Sequence, residues 1–249
     1  MDFFEQICQV LAENGKKFPG RLTDNEDVKQ FFSPVEKKIG TPAVVQSHSN
    51  EPQITANAKN TTPQNALEHL CSSLNNCSRC PLAKHRKNIV FGEGDPQARL
   101  MFIGEAPGYD EDLCGRPFVG KAGQLLDKMI TAMQFSREEV YIANIVKCRP
   151  DNNRNPMPDE ISKCVGFLHR QIEIIRPEVI VVLGAVAAKT LLECSDGISR
   201  LRGRWCSYEN IPVMPTFHPA FLLRQESAKK DAWQDLQQVM SRFGKYHKR

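Results

Sequence analysis

The sequence predicts an α/β fold of three layers, with helices on both faces of a central four-stranded parallel sheet. Three observations lead there. Four short runs rich in Val and Ile recur at Leu100–Ile103, Val140–Val146, Val179–Leu183 and Ile211–Phe217, each of strand length. Helical periodicities lie between them. Strand and helix alternate in order, which implies right-handed βαβ units and a parallel sheet covered on both sides.

Residues 1–68 read as an N-terminal extension outside that pattern. Their composition shifts to Asn, Gln, Thr, Ser and Pro, as in TPAVVQSHSNEPQITANAKNTTPQNA, which cannot bury a core and suits a linker. Ahead of the linker, Phe3, Phe4, Ile7, Val10 and Leu11 fall at helical spacing and predict a short amphipathic helix over residues 2–14. Residues 69–249 then form one domain. After the first strand, Lys121–Met133 places Leu125, Leu126, Met129 and Ile130 on one face. After the second, Pro158–Ile175 does the same with Ile161, Cys164, Val165, Leu168 and Ile172. Ala185–Leu192 follows Gly184 at the end of the third strand, and Ala228–Phe243 closes the chain.

Composition narrows the class of protein. With 249 residues, 41% hydrophobic and 25% charged, the chain is neither disordered throughout nor fibrous. It contains no run near the roughly 18 apolar residues of a membrane helix, and MDFFEQICQVLAEN lacks a basic, cleavable leader, so the expectation is a cytosolic protein with no membrane contact. Nine cysteines, an odd number without a secretion signal, argue for reduced thiols, some of them metal ligands. The net charge of +4 identifies no partner alone, but its distribution is uneven. Residues 1–68 hold 7 basic and 9 acidic side chains, leaving 26 against 20, or +6, on residues 69–249.

Ligands of such sheets bind outside the carboxyl ends of the strands. There the first strand runs into Gly104-Glu105-Ala106-Pro107-Gly108-Tyr109-Asp110-Glu111-Asp112, a tight turn holding four carboxylates whose glycines let backbone approach a ligand. It matches no phosphate-binding fingerprint, and alone would usually be a solvated loop. Next, Gly115-Arg116-Pro117-Phe118-Val119-Gly120 sets an aromatic among glycines, either core or a stacking surface. The second strand ends in Ala143-Asn144-Ile145-Val146, an amide in an apolar run that must either tie down a loop or read a ligand. The fourth opens into Phe217-His218-Pro219-Ala220-Phe221-Leu222-Leu223-Arg224, a histidine, an apolar tip and a base.

The cysteines carry the sharper spacing. Cys77-x-x-Cys80 precedes Pro81, while Cys148 and Cys164 straddle the loop DNNRNPMPDE. A C-x-x-C pair with two further cysteines suits zinc or an iron–sulfur cluster, and spacing does not separate the two. Cys8, Cys71, Cys114, Cys194 and Cys206 read as ordinary thiols.

Taken together, CSRC, GEAPGYDED, GRPFVGKAGQLLD, YIANIVKCRP and HPAFLLR resemble the family 4, iron–sulfur uracil-DNA glycosylases, in order from about Cys77 to Phe243. The resemblance implies a [4Fe–4S] cluster on Cys77, Cys80, Cys148 and Cys164, and excision of uracil from uracil-containing DNA in base excision repair. It also implies roles for the strand-end residues. Phe118 would stack on the base, Asn144 would pair with its N3–H and O4 edge, and Gly104, Glu105 and Ala106 would line the pocket, with the GEAPG side blocking the thymine methyl. His218 would donate to O2 as charge develops there. Glu105 or Glu111 would position or deprotonate the attacking water, with Glu105 favoured as nearest the turn backbone. Leu222 and Leu223 would wedge into the vacated stack with Arg224 on phosphate, and Lys121, Lys147, Arg149 and Arg154 would add backbone contacts. The cluster would be structural. The protein is expected to act as a monomer, and the extension to suit tethering to repair or replication proteins, with nothing in it to name one. Two rivals remain at this level: a glycosylase of the same superfamily with broader deaminated-base specificity, and a non-catalytic iron–sulfur or zinc nucleic-acid-binding module.

Overall fold

The structure, a computed structural model, describes residues 62–245. The helix expected over residues 2–14 lies outside them. Six strands form one sheet: β1 (Glu93–Gly94), β2 (Leu100–Gly104), β3 (Tyr141–Asn144), β4 (Val179–Leu183), β5 (Cys206–Tyr208) and β6 (Ile211–Thr216), in the order β1-β3-β2-β4-β6-β5. The four strands expected from the apolar runs are its parallel centre, β3-β2-β4-β6. Two short antiparallel edges complete it, β1 on β3 and β5 on β6. At two and three residues these edges are too short to show a period, so the expected count of four strands is corrected to six. The central strands β2, β3 and β4 are buried at every residue, as strands covered on both faces must be.

The helices of the described residues are α1 (Pro63–Ser72), α2 (Tyr109–Cys114), α3 (Lys121–Ala132), α4 (Pro158–Ile175), α5 (Ala185–Leu192), α6 (Ile198–Leu201), α7 (Pro219–Arg224) and α8 (Lys229–Arg242). α1 runs across the compositional boundary at residues 68 and 69. Thr62 caps it by accepting from Asn65 N, Pro63 takes its first turn, and it packs on α4 with Leu67 in the core. α4 starts where it does because the Glu160 carboxylate accepts the Met157 N–H at 2.7 Å, filling one orphan donor of the first turn. Arg154 holds that carboxylate with two bonds of 2.7 and 2.8 Å.

Register decides what meets at the carboxyl edge. Gly104 of β2 lies opposite Asn144 of β3, and Leu183 of β4 opposite Thr216 of β6. The chain leaves β2 toward β3 and returns to place β4 on the other side, so the loops diverge and open a crevice above β2.

Candidate active site

A cavity of about 510 Å³ opens there, lined among others by Glu105, Ala106, Glu111, Phe118, Asn144 and His218. Residues from three strand ends, the short helix α2 and one loop, spread over more than a hundred positions, therefore share one space. Its floor is tight. A Cβ on Gly104 would stand 2.4 Å from Asn144 Oδ1 and 2.6 Å from Phe118 Cζ, so only glycine lets the amide and the ring come together. Asn144 is 1% exposed, and its Oδ1 has no hydrogen-bond partner among the described residues. A buried acceptor left open costs about 1–3 kcal/mol, which is the signature of a group kept ready for a ligand.

Phe118 sits at φ +52°, uncommon for an aromatic residue, and its surroundings hold it there. Glu111 Oε1 accepts the N–H groups of Val119 and Gly120 at 2.9 Å each, while Oε2 accepts that of Gly108 at 3.1 Å. From the other side Arg137 donates to the Pro117 carbonyl at 2.5 Å and is itself braced by Glu93 and Asp127. Gly123 allows α3 to pass beneath, because a Cβ there would fall 1.9 Å from the Phe118 carbonyl. Glu111 is thus a clamp for the loop. Glu105, by contrast, has no hydrogen bond to its carboxylate among the described residues, and burial raises its pKa above the ordinary range.

His218 caps α7, its Nδ1 accepting the Ala220 N–H at 3.1 Å. Burial, reinforced by Arg224, pushes its pKa down to about 4, so the ring is neutral at physiological pH. A neutral imidazole whose Nδ1 accepts must carry its proton on Nε2. The ring stands 5.6 Å from that of Phe118 and is tilted 32° to it. Gly184 at φ +90° makes room behind, where a Cβ would reach 3.0 Å from His218 Cβ.

At the rim the expectations separate. Leu222 is fully buried and belongs to the core, so it is not a surface wedge; in a helix of six residues it faces inward while its neighbours face out. The exposed large apolar side chains of α7 are Leu223 at 45% and Phe221 at 37%. Arg224 and Lys121 line the cavity. Lys147 is wholly buried and cannot reach a phosphate, and Arg154 is engaged by Glu160. Sequence reasoning passed over Tyr109, half-exposed on the cavity wall with the Arg149 guanidinium 5.0 Å above its ring. The signal was its place in the turn after β2.

The four cysteines expected as ligands are free thiols gathered on one side of the core. Cys148 and Cys164 are buried in it, Cys77 and Cys80 pack against it, and Cys164 interacts electrostatically with Cys80 and Cys77. Arg86 Nη1 donates to Cys148 Sγ at 3.4 Å and the Lys147 main-chain N–H to Cys164 Sγ at 3.3 Å. Burial raises both buried thiols, Cys148 to about 11, although the polar hydrogens around them suit thiolates. Among the described residues no three His, Cys, Asp or Glu side chains stand close enough to share a single ion.

Comparison with known proteins agrees with this arrangement. A model of the uracil DNA glycosylase superfamily matches residues 91–237. The type-4 uracil-DNA glycosylase of Thermotoga maritima is 45% identical over 170 residues, covering 67% of this chain and 88% of its own. That of Archaeoglobus fulgidus is 40% identical over 188 residues, 72% of this chain and 94% of its own. That of Saccharolobus solfataricus is 43% identical over 182 residues, 70% and 84% respectively. The match spans the whole strand-end constellation from Glu105 to His218, and with it the chain belongs to the uracil-DNA glycosylase superfamily.

Proposed function

We propose that this protein is a type-4 uracil-DNA glycosylase, which flips deoxyuridine out of DNA and hydrolyses the N-glycosidic bond, releasing uracil and leaving an abasic site. The observation that carries the reading is the open Oδ1 of Asn144, buried beside the Phe118 ring in a slot only Gly104 permits. Uracil presents an N3–H donor next to an O4 acceptor, and a side-chain amide answers both with Oδ1 and Nδ2. Cytosine reverses the pattern and would leave two buried groups unpaired, a mismatch that can be worth a factor of about 10⁴.

The reaction follows from the neighbours. Flipping costs a few kcal/mol of stacking and pairing, which the base regains against Phe118 and the amide. As the C1′–N1 bond breaks, its electron pair moves into the base and charge gathers on O2. His218 offers the Nε2–H to that oxygen as a neutral donor and keeps its proton. Glu105 faces the cavity with both oxygens open, takes a proton from the attacking water as its oxygen bonds to C1′, and offsets the positive charge of the sugar. Glu111, occupied by three backbone N–H groups, aligns the Phe118 loop.

Cys77, Cys80, Cys148 and Cys164 would hold a [4Fe–4S] cluster. When bound, it supplies iron–thiolate bonds that cross-link the segment around Cys77 to the chain on either side of residues 149–163, and hydrolysis needs no electron from it. The same reading has the protein act as a cytosolic monomer, with the extension ahead of α1 available to repair or replication proteins. Uracil release from oligonucleotides carrying U:G, U:A, single-stranded U or hypoxanthine tests the function. Release from the uracil substrates alone supports it; DNA binding without release points to a non-catalytic module, and equal release of hypoxanthine to a broader glycosylase. Visible charge-transfer absorption of the purified protein distinguishes iron from zinc.

A further inference from the structure

Lys147 is among the largest wholly buried side chains of the described residues, and no step of the reaction uses it. Its Nζ donates to the main-chain carbonyl of Asn144 at 2.8 Å and to Gln171 Oε1 at 2.6 Å. Gln171 is braced in turn, its Nε2 donating to the Phe91 carbonyl at 2.9 Å and to the Tyr141 hydroxyl at 3.2 Å. Packing alone does not call for an ammonium at this place, since a methionine fills a similar volume without the cost of desolvating a charge.

The neighbouring amide supplies the reason. Among the described residues Asn144 Oδ1 has no partner, so the side chain that reads the base is not aimed by its own acceptor bond. Its direction is inherited from the main chain. Asn144 is also the last residue of β3, where the backbone leaves the sheet, and a turn of the peptide unit after it would swing the amide. On one side that departure is held by Ile145 N and Val146 N donating to the Gly104 and Glu105 carbonyls at 3.0 and 3.2 Å. On the other it is held by Lys147.

We infer that Lys147 is a positioning residue for base recognition: its ammonium, seated on Gln171, clamps the Asn144 carbonyl and so fixes the amide against uracil. The inference rests on the reading that Asn144 recognises uracil. It predicts a selective defect. In the full-length Lys147→Met protein, the inhibition constant of free uracil rises about tenfold, the scale of one lost charge-assisted hydrogen bond, and kcat/KM on uracil-containing DNA falls by at least as much. Affinity for product DNA with an abasic site stays within about twofold, because that surface does not include the amide. A merely structural role would weaken both ligands together. Gln171→Leu, which leaves the ammonium on Asn144 but removes its brace, shows the same selective pattern with a smaller amplitude, and decides the matter if Lys147→Met fails to fold. Unchanged inhibition by free uracil in a folded variant, or an equal loss on abasic DNA, overturns the proposal while leaving the glycosylase reading intact. A wild-type protein that neither releases nor binds uracil overturns that reading and the proposal with it.

Discussion

Gly104→Ala puts one methyl where the slot between Asn144 and Phe118, proposed above to take the base, closes. The added Cβ would stand 2.4 Å from Asn144 Oδ1 and 2.6 and 2.7 Å from Phe118 Cζ and Cε2, each nearer than a Cβ comes to any non-bonded heavy atom. The backbone is not the obstacle, since Gly104 is absent from the residues at positive φ. Relief therefore has to come from the amide and the ring, which must retreat by about 1 Å to reach ordinary contact near 3.5 Å. Overpacking of this kind costs about 1–3 kcal/mol, or roughly 2–12 °C of Tm in a domain of this size. A displacement of about 1 Å in a positioning group costs about 10²-fold in rate, so the single-turnover rate should fall much further than stability does. Excision of uracil from an oligonucleotide under single-turnover conditions, run beside a thermal melt, reads both. Gly166→Ala is the matched control, because it lies in α4 with open space around its Cβ and should gain a little helix stability while leaving the rate alone. If Gly104→Ala cleaves within about threefold of the wild type, the base does not enter between Asn144 and Phe118, and the site has been assigned to the wrong space.

The two carboxylates should part company. Glu105→Gln keeps affinity for uracil-containing DNA but loses excision, whereas Glu111→Ala leaves three backbone N–H groups without their partner and lowers Tm along with activity; normal single-turnover cleavage by Glu105→Gln would move the role of base to Glu111. His218 sets a pH signature. It is neutral in the fold down to about pH 4 but takes up a proton near pH 6.5 when unfolded, so the unfolded state binds more protons between these values and stability rises with pH across that window, then levels off. His218→Gln should flatten that rise in Tm and reduce kcat by about 10²–10³, and a wild-type rate that instead drops as pH rises through 6.5 would mean that the charged ring is the active form. The two leucines of α7 give opposite outcomes: Leu222→Ala should cost about 2–5 kcal/mol in a denaturant melt, while Leu223→Ala should melt normally and weaken excision from duplex more than from single-stranded substrate.

What was legible in the chain was whatever a local pattern could carry. The parallel centre announced itself because β2 and β4 are apolar at every position, and α4 because Ile161, Val165, Leu168 and Ile172 repeat along it. Asn144 stood out as an amide in an apolar run. Edge strands of two and three residues carry no period, and α1 was obscured because its helical turns share the Asn- and Gln-rich composition of the residues before it. The rim was misjudged for a related reason. Leu222 and Leu223 are chemically identical, and only the direction in which the short helix leaves His218 decides which one is core.

Glu105 and Glu111 make the limit sharper. They lie six residues apart in one acidic segment, and no property of a carboxylate in isolation tells the proposed base from the brace. The difference lies in how many acceptor sites the surrounding backbone has already filled. Three N–H groups reach Glu111, from Gly108 behind it and from Val119 and Gly120 in a loop that the sequence does not place beside it. Among the described residues none reaches Glu105, so its acceptors remain for water, and burial favours its taking up a proton. The same reasoning covers Lys147, whose charge suggested a phosphate contact until the fold turned it inward onto Gln171 and the Asn144 carbonyl. In each case the residue type sets the chemistry that is available, and the number of partners the backbone supplies sets how much of it is left for the substrate.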